Sequence, residues 1–176
     1  LGLVGFGGIG TEVAKRAVPF GMKVIYFCRH PNPADDAAYG VQSVSMEELL
    51  KESDYVVAAV PLTDQTFHLF NEERIAQMKA GSVLINIARG PVVDEEALAQ
   101  ALASGHLGGC AVDVFPKEPC TNSVLTRYAN ALLTPHSATS TAENSKATNF
   151  AAANNLVNYL KKDIDAKYVV VQGTRY

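Results

Sequence analysis

The sequence of 176 residues predicts a doubly wound α/β fold, in which a parallel sheet carries helices on both of its faces. Short apolar runs, typical of buried strands, alternate along the chain with segments whose apolar residues recur at helical spacing. Strands separated by single helices must be joined by crossovers, and such crossovers build parallel sheets. A glycine-rich turn, GFGGIG, connects the first strand to the first helix.

The elements of the first half follow one another closely. LGLV is the first predicted strand, and TEVAKRAVPFG is the helix after the glycine turn. KVIYFC is the second strand, and the Pro-rich segment from Arg29 to about Tyr39 is predicted to be a loop without helix or strand. Ser45 is expected to begin a helix because SMEE is a capping box, in which Ser45 accepts a hydrogen bond from the amide of Glu48. DYVVAAV is the next strand.

The second half continues the alternation. Asn71 is expected to cap a short helix that ends near Met78, SVLINI is the next strand, and Asp94 is expected to cap the helix EEALAQALASG. GGCAV and ALLT are the last two strands, separated by the long loop DVFPKEPCTNSVL. One long helix is predicted from about Thr141 to Lys161. The run YVVV near the end has strand character but no obvious partner strand.

Composition excludes several classes of function. The net charge of -3 arises from mixed acidic and basic residues, with no Lys/Arg run that would bind nucleic acid. Three scattered cysteines, Cys28, Cys110 and Cys120, do not make a disulfide framework and favour a reducing compartment. No run approaches the roughly 20 apolar residues of a membrane span. No cluster has metal-ligand spacing. A cytoplasmic protein without a metal is therefore expected.

Gly5, Gly7 and Gly10 match the G-x-G-x-x-G fingerprint of the Rossmann-like dinucleotide-binding fold. The three glycines of that fingerprint provide a tight turn, a close backbone approach to the pyrophosphate and close helix-to-strand packing. A glycine-rich turn without function is the plainer interpretation. The position between a strand and a helix favours dinucleotide binding.

The second strand ends without the acidic residue that normally follows the fingerprint by about 20 residues and binds the adenine ribose. Cys28 and then Arg29 stand at this place. A carboxylate would repel a 2′-phosphate, whereas a guanidinium forms a charge-assisted pair with it. NADP(H) is therefore favoured over NAD(H). In the alternative interpretation, Arg29 is a solvated loop residue and backbone contacts hold NAD.

Three polar residues follow predicted strands, at the sheet edge where open α/β domains bind ligands. Arg89 follows SVLINIA, Glu118 lies five residues beyond Asp113, and His136 follows ALLTP. An Arg, a Glu and a His at one edge suit a 2-oxoacid, since they offer a fork for the carboxylate, an acid for the carbonyl oxygen and an orienting partner. Taken singly, each has a duller interpretation as a surface cation, a solvated loop residue or a turn residue.

Five motifs together resemble the D-isomer-specific 2-hydroxyacid dehydrogenases. They are GFGGIG, VPLTDQTFHLF, NIARGPVVDEEAL, AVDVFPKEP and LLTPHSA, in the order and spacing of that family. The resemblance implies that His136 is the general acid for the carbonyl oxygen and that Glu118 hydrogen-bonds and orients its imidazole. It implies that Arg89 binds the substrate carboxylate and helps to polarise the carbonyl.

The resemblance also implies a set of cofactor contacts. Asp113 would meet the nicotinamide carboxamide, and Arg89 and His136 would lie beside the cofactor as well as the substrate. Together with the three fingerprint glycines, Cys28 and Arg29, the remaining expected contacts are the backbones of Gly8, Ile9, Val60, Pro61, Ile87 and Ala88 and the side chain of Thr66.

The expected domains are a dinucleotide-binding domain over residues 1–145 and a helix and tail over residues 146–176. By the resemblance, the second segment leads to or belongs with a substrate domain whose N-terminal part is absent from this chain. The chain alone is therefore expected to be inactive, because the cleft that excludes water during hydride transfer would have only one of its walls. A homodimer is expected on the same ground.

The predicted function is hydride transfer between a nicotinamide cofactor and a 2-oxoacid/D-2-hydroxyacid pair, with glyoxylate or hydroxypyruvate favoured by analogy. A dinucleotide-sensing transcriptional corepressor is the alternative, since some corepressors resemble this family and keep the same Arg, Glu and His. No partner-binding extension or basic segment in the sequence supports that alternative.

Overall fold

A seven-stranded sheet is the centre of the fold. The computed structural model describes residues 1–165, 168 and 169. All seven strands are parallel, in the order β3-β2-β1-β4-β5-β6-β7. The strands are β1 (Gly2–Val4), β2 (Ile25–Phe27), β3 (Gln42–Ser43), β4 (Tyr55–Ala58), β5 (Val83–Asn86), β6 (Gly109–Val112) and β7 (Ala131–Leu133).

Helices cover both faces of this sheet, as the sequence predicts. One core contains Leu3, Tyr26 and Val57 from the strands together with Ala14 and Ala17 of the first helix. A larger core on the other face holds buried side chains of the third, fourth and fifth helices. The helices are α1 (Gly8–Ala17), α2 (Pro33–Tyr39), α3 (Met46–Glu52), α4 (Glu72–Ala76), α5 (Glu95–Ala103) and α6 (Ala142–Leu160), with 3₁₀ turns at Val18–Phe20, Gly90–Val92 and Val124–Arg127.

The predicted helix caps are present. The side chain of Ser45 accepts from the amide of Glu48 at 3.1 Å, and Asn71 accepts from Arg74 at 3.0 Å. Asp94 accepts from two amides of the first turn of α5. Each cap satisfies backbone donors that a helix cannot pair internally.

The prediction of a plain loop between Arg29 and Tyr39 is wrong, because residues 33–39 form α2. Proline is well tolerated at the first position of a helix, where its missing N–H would have no partner. Asn32 caps this helix by accepting from Ala34. The carboxylate of Asp36 accepts from the hydroxyl of buried Tyr26 at 2.8 Å and so ties α2 to β2. The short edge strand β3 was also not predicted.

The chain divides into two compact units, residues 1–136 and residues 137–176. The first unit contains the sheet and α1 to α5. The second contains α6, whose first turn is capped by Thr141 and whose Phe150, Leu156 and Leu160 side chains are exposed. The predicted strand character of YVVV, residues 168–171, falls partly outside the described residues.

Candidate active site

Two fingerprint glycines allow backbone segments to approach closely. Gly5 has a φ of 101°, and a Cβ there would collide with the carbonyl oxygen of Ala59, just beyond β4. A Cβ on Gly10 would collide with the carbonyl oxygen of Gly5. Around Gly7 and Gly8, by contrast, a Cβ would meet no atom within 4 Å. The turn is therefore packed on its protein side and open where a ligand would approach.

A crevice of about 610 Å³ opens at the carboxyl ends of β1, β2 and β4. This is the point where the strand order reverses, at which doubly wound sheets bind dinucleotides. The hydroxyl of Thr66 donates to the carbonyl of Pro61 at 2.6 Å and organises one wall. Seven of the predicted cofactor residues line the crevice: Gly5, Gly7, Cys28, Arg29, Val60, Pro61 and Thr66.

The other predicted cofactor residues lie outside this crevice. Gly8, Ile9 and Gly10 form the first turn of α1, where the Ile9 side chain is exposed. Asp113 is buried at the end of β6, and its Oδ1 accepts from the hydroxyl of Thr134 at 2.6 Å. The remaining ones, Ile87, Ala88, Arg89 and His136, follow β5 and β7.

Glu118 and His136 form a hydrogen-bonded pair, although 18 residues separate them. The imidazole Nδ1 lies 2.6 Å from Oε2 of Glu118, and the other carboxylate oxygen accepts from the amide of Phe115 at 2.9 Å. His136 has a φ of 53°, in the left-handed region, directly after Pro135. The side chain of His136 is 43% exposed and that of Glu118 is 35% exposed, so the imidazole can be reached from solvent.

The surroundings of Glu118 favour its ionised form. The hydrogen bond with His136, and then that from the Phe115 amide, lower the pKa of the Glu118 carboxyl. The positive charge of Arg89 lowers this pKa further, whereas partial desolvation opposes the shift. Arg89 therefore lies near enough to the pair to act on it electrostatically, and the carboxylate is the anionic partner of the imidazole.

Arg89 lies in a short loop after β5, with its side chain exposed. Its Nη1 donates to the carbonyl of Ala88 at 2.6 Å. The next residue, Gly90, packs directly on the backbone of Phe115 and Pro116, so that a Cβ at Gly90 would collide with both. The loop with Arg89 and the loop with Glu118 are therefore in backbone contact.

The chain resembles known proteins over most of its length. The family model described as "D-isomer specific 2-hydroxyacid dehydrogenase, NAD binding domain" matches residues 1–138. The chain belongs to this family.

Among the relatives of this 2-hydroxyacid dehydrogenase domain is a glyoxylate reductase of Thermococcus litoralis, 42% identical over 169 residues. That alignment covers 96% of this chain and 51% of the relative. A solved glyoxylate reductase from Paecilomyes thermophila is 40% identical with a TM-score of 0.85, covering 92% of this chain and 49% of that one. The D-lactate dehydrogenase from Aquifex aeolicus, complexed with NAD and lactic acid, is 34% identical with a TM-score of 0.84 and coverages of 92% and 53%. The chain thus spans about half the length of these relatives.

The geometry of this 2-hydroxyacid dehydrogenase domain fits a nicotinamide dinucleotide. The open space at Gly7 and the crevice beside it provide room for the backbone to approach a pyrophosphate, and the free amides of α1 face the same turn.

No helix in the described part of the chain has the length and apolarity needed to cross a membrane. Within the same residues, no group of His, Cys, Asp and Glu is arranged to hold a metal ion.

Asn86, the last residue of β5, is not among the functional residues predicted from the sequence. It is 1% exposed, and its side chain bonds to the backbone of the loop that carries Arg89. The signal in the sequence is one amide side chain near the end of the apolar run SVLINI. A strand pattern alone does not show whether such a residue faces a loop or solvent.

Proposed function

We propose that this chain is the cofactor-binding part of an oxidoreductase that transfers a hydride between a nicotinamide cofactor and a 2-oxoacid/D-2-hydroxyacid pair. The observation that carries this proposal is the 2.6 Å hydrogen bond between Glu118 and His136, at the sheet edge that also carries Arg89. Glyoxylate or hydroxypyruvate is the favoured substrate, because the glyoxylate reductases named above are 40–42% identical to this chain.

In the proposed reaction, His136 supplies the proton for the substrate carbonyl. Because the Glu118 carboxylate is ionised, Nδ1 of the imidazole carries the N–H that donates to it, and Nε2 is left for the substrate. The protonated ring gives its Nε2 proton to the carbonyl oxygen during reduction and takes a proton back from the hydroxyl during oxidation. The bound cofactor supplies or accepts the hydride.

Arg89 binds the substrate carboxylate in this proposal. Its planar guanidinium matches a carboxylate with two parallel hydrogen bonds, and its charge stabilises the oxygen that becomes negative as hydride is added. The exposure of Arg89 and its electrostatic effect on Glu118 support a place beside the acid. The carboxylate and the carbonyl oxygen of one small substrate would then meet Arg89 and His136 at the same time.

We further propose a preference for NADP(H) over NAD(H). Arg29 and His30 line the crevice at the end of β2, where a ribose-binding carboxylate would otherwise be expected. None of the residues lining the crevice, all of which the structure describes, is Asp or Glu. A guanidinium at this place attracts a 2′-phosphate that a carboxylate would repel.

The test is steady-state kinetics of the full-length protein with glyoxylate, hydroxypyruvate and pyruvate, each with NADPH and with NADH. Glyoxylate or hydroxypyruvate with NADPH should show the highest kcat/KM. Absence of turnover with all three acids would refute the enzyme and favour the corepressor. A strong preference for NADH would refute the role of Arg29 and leave the reaction class standing.

Three wider expectations belong to the same proposal. Residues 146–176 would join a substrate-side domain, which the exposed Phe150, Leu156 and Leu160 of α6 support. The protein would be a homodimer, which sedimentation of the full-length protein would test. A cytoplasmic location fits the free thiols of all three cysteines.

A further inference from the structure

We infer that Asn86 is a positioning residue whose buried carboxamide sets the place of Arg89, and thereby the place at which the substrate carboxylate is held. This inference rests on the proposed function, because it assigns a task to a residue that acts through Arg89. Asn86 itself is the last residue of β5 and is 1% exposed, so it is shielded from solvent and can act on the site only through the backbone groups that it bonds.

The carboxamide of Asn86 bonds to three successive residues of the loop. Its Oδ1 accepts from the amide of Ala88 at 3.1 Å. Its Nδ2 donates to the carbonyl of Arg89 at 3.0 Å and to the carbonyl of Gly90 at 3.5 Å. Arg89 is therefore bracketed on both sides by backbone groups that one rigid side chain holds.

Only a side chain with an acceptor and two donors in one plane can make this set of bonds. The Asn amide has both, an ionised Asp has acceptors only, and a hydroxyl has a single donor. The carbonyls of Arg89 and Gly90 also accept from the amides of Val92 and Val93, which form the 3₁₀ turn. The bonds from Asn86 thus tie the end of β5 to this 3₁₀ turn, which without them would be held at these two carbonyls only by the amides of Val92 and Val93.

The opposite side of the loop is closed by the loop that carries Glu118. Gly90 is packed on the backbone of Phe115 and Pro116 with no room for a Cβ. The amide of Phe115 in turn donates to Glu118. Arg89 is therefore fixed relative to the Glu118–His136 pair by a backbone contact on one side and by the carboxamide on the other.

This fixation matters because a two-point bond to a carboxylate requires placement within about 0.5 Å. A flexible side chain of the length of Arg reaches one direction reliably only when its backbone is held. Loss of the carboxamide should therefore weaken the binding of the substrate carboxylate by Arg89. The nucleotide crevice and the Glu118–His136 pair should keep their own contacts.

The test uses two variants. Asn86→Asp keeps the shape of the side chain but removes its hydrogen-bond donors. Asn86→Ala introduces no charge and serves if the buried carboxylate of Asn86→Asp prevents folding. Asn130→Asp is the matched control, because Nδ2 of Asn130 also donates to a backbone carbonyl, that of Gly108 at 3.1 Å, outside the site. The full-length protein is assayed with glyoxylate and with glycolaldehyde, an aldehyde that lacks the carboxylate. Cofactor affinity is measured by fluorescence titration.

Both Asn86 variants should lose at least about 10-fold in kcat/KM for glyoxylate and clearly less for glycolaldehyde, on which Arg89 acts only through the carbonyl oxygen, while the Kd of the cofactor changes by less than about 2-fold. The Asn130 control should match wild type. An equal loss with both substrates, or no loss with glyoxylate, would overturn the positioning role and leave the proposed function intact.

Failure of the wild-type protein to reduce any 2-oxoacid would instead overturn the proposed function. Crystal structures of the two Asn86 variants then decide the inference without any activity. A displacement of residues 88–90 of about 1 Å or more relative to Glu118 supports it, since preorganised sites tolerate only about half of that. An unmoved loop overturns it.

Discussion

The contrasting surroundings of Gly7 and Gly10 predict that one substitution will damage binding and the other folding. In Gly10→Ala, the new methyl group meets the carbonyl oxygen of Gly5, which is part of the main chain and cannot rotate away. In Gly7→Ala, the methyl group meets no protein atom within 4 Å. Gly7 also has φ and ψ of -89° and -159°, which any residue can adopt.

The structure supports an estimate of each effect. Overpacking by one methyl group destabilises a protein by about 1–3 kcal/mol, and a collision with the main chain belongs near the middle of that range or above it. A loss of about 2 kcal/mol, at a urea m-value of about 2 kcal/mol/M, lowers the unfolding midpoint of Gly10→Ala by about 1 M. For Gly7→Ala the change should stay below about 1 kcal/mol, because the weaker N-cap is offset by the reduced entropy of the unfolded chain.

Binding should show the reverse order. The methyl group of Gly7→Ala projects into the space where the backbone would approach a pyrophosphate, so the Kd for NADPH should rise at least about 10-fold, or about 1.4 kcal/mol. The assays are urea denaturation followed by circular dichroism and titration of NADPH fluorescence. A normal midpoint for Gly10→Ala, or a normal Kd for Gly7→Ala, would refute the assignment of these glycines.

Four further outcomes are expected. The pKa of Glu118 is lower in the folded chain than in an unfolded one, so its stabilising contribution is present above the unfolded pKa and is lost as the pH falls through the folded pKa. The difference in the free energy of unfolding between wild type and Glu118→Gln should therefore shrink as the pH is lowered from about 5. A constant difference would contradict the pairing of Glu118 with His136. Burial raises the pKa of the Cys110 thiol to about 11, so mass spectrometry after iodoacetamide treatment at pH 8 should find Cys120 labelled and Cys110 unlabelled in the folded protein. His136→Gln should bind the cofactor normally but lose at least about 10²-fold in kcat, and Arg89→Lys should raise the KM for the oxoacid; unchanged kinetics in either variant would remove that residue from the mechanism.

The position of the Arg, the Glu and the His could be expected from the sequence because of a rule of topology. Each of them follows a predicted strand, and the carboxyl ends of parallel strands meet at one edge of the sheet. The alternation of apolar runs and helical patterns was sufficient to predict that the sheet is parallel. The pattern could therefore bring residues 89, 118 and 136 to one edge without any coordinates.

The contacts between loops could not be expected in this way. Nothing in the order of residues shows that Gly90 packs on Phe115, or that Asn86 faces the loop ahead of it, because such contacts depend on how two connections lie over the sheet. The helix α2 was missed for a similar reason, since part of its support is a hydrogen bond from Tyr26 of a different element. Tertiary partners can stabilise a short helix in a segment with weak local preference.

The sequence by itself determined the parallel sheet, the caps of α3, α4 and α5 and the identity of the groups at the sheet edge, because these follow from short-range periodicity and from which side chains end each strand. The tertiary structure decided the distances between those groups, the open side of the glycine turn and the support behind Arg89. These depend on packing among residues far apart in the chain, where one methyl group or one carboxamide determines whether two loops can meet.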